Sequence, residues 1–297
     1  MFASPVFRAG GGILMLVFAA TTLAMIAFAT NALFCRLALL EGGMPHPMYT
    51  AIRLFSGAVM LAIIMLCRRR LPWSKGSWAG AASLFAYMAF FSWAFVRLSS
   101  AAGTLVLCVA VQTTMMAYSL LRGERPRPLA LLGFGLSLAG LIVLLFRGLS
   151  APPLGSAALM LASGTAWGVY CLCGLSKHNP IDSTAGNFLR AVPFLLLLLP
   201  WIWGDAAPSL RTCLYAVAAG AICSALGYVL WYVATQRLTV MTASVVQLSV
   251  PLLAAWEGLL FLNEPFSARM ALSAAGILGG IFLTSFANRP GGTQKPS

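Results

Sequence analysis

Apolar positions along this chain gather into ten long runs, separated by short turns that hold the charge clusters and many of the prolines. The runs extend from Ile13 to about Leu40, Met48 to Cys67, Ser77 to Val96, Arg97 to Leu121 and Leu129 to Phe146. The pattern then restarts with Gly155 to Gly174, Ala185 to Trp203, Thr212 to Ala234, Arg237 to Glu264 and Met270 to Ala287. Each is close to the ~20 residues a helix needs to cross about 30 Å of hydrocarbon. The first run follows a short lead carrying Arg8, but it is too long for a signal peptide and its pattern returns inside the chain, so it is predicted as a membrane span.

One stretch occurs twice. A shift of 140 residues lays Arg97 on Arg237, Leu98 on Leu238, Thr104 on Ser244, Val106 on Val246, Leu120 on Leu260 and Glu124 on Glu264 without a gap. A shift of 137 pairs Arg53 with Arg190. Five spans per copy is an odd number, so the second copy must enter the membrane from the opposite face. The predicted fold class is therefore all-α integral membrane, with ten transmembrane helices in two inverted five-helix repeats. Residues 1–147 form the first repeat, 148–154 the connection, 155–287 the second repeat, and 288–297 a disordered cytoplasmic tail. Such inverted repeats surround a midplane site in many secondary transporters.

Composition sharpens this picture. The 297 residues are 60% hydrophobic and 8% charged, far below the roughly 25% charged residues of a soluble domain. The net charge of +13 would suggest a nucleic-acid partner in a soluble chain, but here the basic residues sit in short loops, where they set orientation, and no nucleic acid is expected. With a cytoplasmic amino terminus, thirteen of the 19 Lys and Arg residues fall inside, and six (Arg36, Arg53, Arg97, Arg147, Arg211, Arg269) outside. That bias places both termini in the cytoplasm. The seven cysteines form no C-x-x-C pair and only two histidines accompany them, so they are expected to pack as small apolar groups, with no metal site.

Ten spans in two halves, Arg53 and Arg190 in the second helix of each half, and the helix-closing Leu262-Asn263-Glu264-Pro265 resemble the EamA family of the drug/metabolite transporter superfamily. The first half departs from that close, with Arg125 between Glu124 and Pro126. The resemblance implies a metabolite exporter of the bacterial inner membrane, and the aromatic-rich spans are most similar to the YddG-type aromatic amino-acid exporters; the short loops and lack of a soluble domain make a monomer the default expectation. It also implies a central cavity lined by the first, third and fourth helices of each half.

Candidate substrate-binding residues follow from depth and polarity. Asn31, Trp167 and Tyr170 lie in the first helices of the two halves. Tyr87 with Phe90 share one face of the third span, and Tyr228 with Trp231 one face of the eighth. These rings either stack on a substrate or anchor the lipid interface. Gln112, Ser244 and Gln247 must face protein or water, either bonding neighbouring helices or holding amino and carboxylate groups. Arg36 is expected near the interface or bonded to a neighbouring helix. Pro251, at the centre of the ninth span, can free a carbonyl. Glu257 is the single carboxylate in an apolar run, which makes it a candidate for proton coupling or for a structural ion pair.

The function expected is a secondary transporter that exports small metabolites, most of all amino acids. The alternative in the same class is efflux of cationic drugs. A membrane-embedded enzyme would need a convergent nucleophile, base or metal cluster, and His46 and His178 lie in loops predicted on opposite faces. No Gly-rich phosphate loop is present, and no cofactor is implied. Substrate and membrane lipids are the partners expected.

Overall fold

The computed structural model describes residues 11–40, 43–123, 126–145, 152–174, 180–202, 208–235, 238, 246–247 and 249–287. Among the described residues every regular element is helical. Helices α1 (Gly11–Leu40), α2 (His46–Cys67), α3 (Trp78–Phe95), α4 (Ser100–Leu121), α5 (Pro128–Leu145) and α6 (Leu154–Gly174) follow in order. The seventh span is α7 (Pro180–Ala191), a 3₁₀ stretch (Val192–Leu198) and α8 (Leu199–Ile202). The eighth is α9 (Leu210–Ala218), a π-helical stretch (Ala219–Leu226) and α10 (Gly227–Thr235), and α11 (Ser249–Leu262) and α12 (Ala268–Ala287) complete the chain. Eight segments are long and apolar enough to cross a membrane, and two shorter apolar helices lie within Ser249–Leu262 and Ala268–Thr284. A helix satisfies its own backbone polar groups, which is why apolar runs of this length adopt it in hydrocarbon.

The starts carry local signals. Ser77, Ser99 and Ser209 each accept a hydrogen bond from a first-turn N–H, capping α3, α4 and α9. Asn263 closes α11 in the left-handed conformation, with φ +51°.

Helix ends are tied in two groups. In one, the carboxyl-terminal ends of α1 and α11 meet the amino-terminal end of α4, where Glu264 accepts from Arg36 Nε (2.9 Å) and from the Ser100 N–H (2.7 Å). Arg36 also donates to the Phe95 carbonyl at the end of α3 (2.9 Å). Just beyond, Arg269 of α12 donates to the Val143 and Leu144 carbonyls at the end of α5 (3.0 and 2.8 Å). In the other group, Arg70 after α2 pairs with Asp182 in the first turn of α7 (2.8 Å), and the Ser77 N–H donates to Asn187 Oδ1 (2.8 Å). There too Arg127, before α5, donates to the Ala287 carbonyl closing α12 (3.0 Å).

Packing follows a pattern. Helix α3 lies on α6, and α1 lies on α9, the π stretch and α10; α4 lies on α6, and α11 on α1; α5 lies on α12. The α5–α12 seam is a backbone contact, since a Cβ at Gly133 would meet the Gly280 carbonyl at 2.6 Å.

Two sequence expectations are corrected, while the place of Pro251 in its span turns on positions 239–245 and 248, outside the described residues. The seventh helix begins at Pro180 rather than Ala185, because Asp182, Thr184 and Asn187 are buried against protein partners instead of lipid. Arg53 is not an outer-face charge: it lies about two turns into α2 and is only 1% exposed.

Candidate functional site

Arg53 is held in the interior by neighbours that carry no charge. Its Nε donates to Ser224 Oγ (3.3 Å) and its Nη2 to Tyr87 Oη (3.2 Å). The guanidinium lies 5.0 Å from the Phe91 ring centroid and 5.3 Å from that of Tyr87. Such cation–π contacts are worth ~2 kcal/mol or more each when desolvated, which offsets part of the several kcal/mol that burying an ion costs. Among the described residues its Nη1 has no hydrogen-bond partner.

Backbone geometry puts it there. A Cβ at Gly220 would meet the Arg53 carbonyl at 2.1 Å, so α2 and the π stretch touch backbone to backbone. Within that stretch Ser224 donates to the carbonyl five residues earlier, Ala219, and turns its oxygen toward Arg53. A π segment re-aims side chains in this way, and such segments recur at functional sites.

Around the guanidinium the aromatic side chains meet. The Trp167 ring lies 4.8 Å from Tyr87, 5.2 Å from Tyr170 and 5.3 Å from Tyr228, centroid to centroid. Phe28 of α1 packs edge-on against Tyr228 (5.7 Å) and Trp231 (6.2 Å). Tyr170 donates to Thr184 Oγ1 (3.3 Å), which in turn donates to the Tyr232 hydroxyl (3.3 Å).

A second polar group sits between α1 and α11. Glu257, 8% exposed, accepts from Thr30 Oγ1 (2.8 Å) through Oε1, while its Oε2 has no partner among the described residues. Next to Thr30, Asn31 is 5% exposed and its Oδ1 is likewise without a partner. Among the described residues no three His, Cys, Asp or Glu side chains gather as a metal site would require, and all seven cysteines are free.

The structure thus brings Tyr87, Trp167, Tyr170 and Tyr228 into one cluster and sets Asn31 beside Thr30, the partner of Glu257. Phe90 is half-buried, and the ring contacts run instead through Phe91, which packs on Tyr87 (5.4 Å) and Phe95 (4.6 Å). Gln112 bonds neighbouring helices: its Nε2 donates to Thr284 (2.9 Å) and its Oε1 accepts from Ser137 (3.2 Å). Gln247 is exposed, and Ser244 lies outside the described residues, as do Glu124, Arg237 and His178. Arg53 was the residue missed as a site candidate. The signal was available, since a lone Arg within the apolar run Met48 to Cys67 is costly unless it has work inside the bundle.

A bundle of apolar helices with buried charges and a ring cluster at its centre defines a multi-pass membrane protein with an internal polar site. The EamA-like transporter family model matches residues 12–146 and again 154–286. The chain belongs to the EamA-like transporter family. It is 49% identical over 265 residues to an uncharacterized protein of Pseudomonas aeruginosa, covering 89% of this chain and 92% of that one. It is 26% identical over 205 residues to a probable terminal-alkyne amino-acid exporter of Streptantibioticus cattleyicolor (67% and 69% covered). With the threonine/homoserine exporter RhtA of Salmonella typhimurium it shares 30% identity over 157 residues (51% and 53% covered). A solved crystal structure at 20% identity superposes with a TM-score of 0.65 over 93% of this chain and 96% of its own, a likeness of fold.

Proposed function

We propose that this protein is a secondary transporter that exports small zwitterionic metabolites, amino acids foremost, across the inner membrane by alternating access. Its ten spans form two inverted five-helix units that work together as a monomer with both termini in the cytoplasm. The tied helix ends support this topology: α1, α3, α5 and α11 finish where α4 and α12 begin. The packing supports it too, because exchanging the first five spans with the last five turns the α3–α6 pair into the eighth span on α1, and α4–α6 into α11 on α1. An inverted two-fold of this kind lets one sequence motif open to either face in turn.

The observation that carries the reading is the ring cluster centred on Trp167, drawn from α3, α6 and the eighth span, with a buried guanidinium at its edge. Two relatives are exporters of amino acids by name, which supports the substrate class. Efflux of lipophilic cations is opposed by Arg53, a buried positive charge against the same rings. The test is counterflow in proteoliposomes loaded with each of the twenty L-amino acids. Saturable exchange with competition is the outcome expected of a carrier. Flux that grows linearly with concentration and ignores competitors would point to a pore.

A further inference from the structure

We infer that the bundle interior holds a two-ended site for an α-amino acid, with the Arg53 guanidinium receiving the carboxylate and Glu257 with Asn31 Oδ1 receiving the ammonium group. The assignment rests on the transporter reading above and names the groups that grip its substrate.

Three observations converge on it. First, three of the buried polar atoms without partners among the described residues are Arg53 Nη1, Glu257 Oε2 and Asn31 Oδ1. Each belongs to a residue more than nine-tenths buried, where a polar group left unpaired destabilises the fold. A protein keeps three of them where a ligand satisfies them. Second, their chemistry is complementary to one molecule: a positively charged donor on one side, and a carboxylate oxygen and an amide oxygen on the other. A zwitterion supplies the matching acceptor and donors while adding no net charge to the bundle. A simple carboxylate or a simple amine would leave one end unpaired.

Third, both ends border the contact between α1 and the eighth span. Ser224 accepts from Arg53 and lies about one turn before Gly227. Glu257 accepts from Thr30, which precedes Asn31, and α1 approaches α10 where Gly227 faces Ala27 and Phe28. Tyr87 touches both the guanidinium and Trp167, so the rings lie where the side chain of a substrate held at Arg53 would extend. Ring stacking then favours flat or apolar side chains without excluding others.

The experiment uses the full chain in proteoliposomes and whichever of the twenty L-amino acids gives the fastest counterflow. Competitors are the same amino acid, its carboxamide, its N-acetyl derivative and the corresponding decarboxylated amine. In the wild type the amino acid competes, and each derivative needs at least ten times the concentration for equal inhibition. Arg53→Gln removes the discrimination against the carboxamide and Arg53→Lys restores part of it. Glu257→Gln removes discrimination against the N-acetyl derivative. Wild-type carboxamide or N-acetyl derivative competing as well as the parent overturns the site, whatever the variants do, while leaving amino-acid transport intact. Absence of counterflow with all twenty amino acids overturns the transporter reading itself.

Discussion

Arg53 owes its place to backbone rather than to a charged partner, and single substitutions around it separate binding from folding. Tyr87→Phe keeps the ring against Trp167 but deletes the acceptor of Arg53 Nη2. A hydrogen bond to a charged group is worth ~1.5–3 kcal/mol of stability, so the thermal midpoint in detergent should fall while the protein stays folded, and the KM for counterflow should rise because the guanidinium loses its orientation. An unchanged KM would place the substrate elsewhere. Trp167→Ala should remove transport of aromatic amino acids that Trp167→Phe retains, since either ring fills the space among Tyr87, Tyr170 and Tyr228. At this scale the sequence exposed depth but not direction. Tyr87, Trp167 and Tyr228 were legible as deep rings, while Arg36 fitted either the interface or a bond to a neighbouring helix, and the structure gives the bond. Phe90 and Phe91 could not be told apart, because one residue turns a helix face by ~100°. Gln112 resolved into bonds to Thr284 and Ser137, partners remote in sequence.

Among the elements, the eighth span and the end of α11 hold the most consequential contacts. At Gly220 any side chain would strike the Arg53 carbonyl and Ser56 Oγ, both 2.1 Å from the Cβ position. Gly220→Val should force α2 off the π stretch, lower the thermal midpoint and abolish transport together; a stable, active Gly220→Val protein would refute the backbone contact. Glu264 is tested by a double-mutant cycle with Arg36. Removing one partner of a buried pair costs ~3–5 kcal/mol, so Glu264→Gln and Arg36→Met should each destabilise strongly, and the double variant by less than their sum, measured by unfolding in detergent. Additive losses would mean the 2.9 Å contact contributes nothing. The Leu262 to Pro265 close was legible as a family mark, and its physical reason is the tie from Glu264 to α1 and α4. The start of α7 was not legible, because a hydropathy window treats Asp182 and Asn187 as solvent-facing when they are bonded to the segment between α2 and α3.

For the molecule as a whole, alternating access requires the two groups of helix ends to part in turn. Cysteines at positions 70 and 182, in a background without native cysteines, joined by a bis-methanethiosulfonate long enough to span the present Arg70–Asp182 pair, should stop counterflow until a reductant releases the link. Exchange that continues through the cross-link would exclude opening at that end. The sequence pointed to two units because one stretch recurs after 140 residues with charge at its ends, and the family model matches twice, over 12–146 and 154–286; an odd number of spans in each unit would invert the second. The central claim is that inversion, and sidedness measures it most directly. Single cysteines at Gly123, after α4, and at Phe266, after α11, are both exposed positions for a membrane-impermeant thiol reagent applied to sealed vesicles of known orientation. Labelling of position 266 from outside the cell and of position 123 only from the cytoplasmic face is the result expected. Both positions labelling from one face would contradict it.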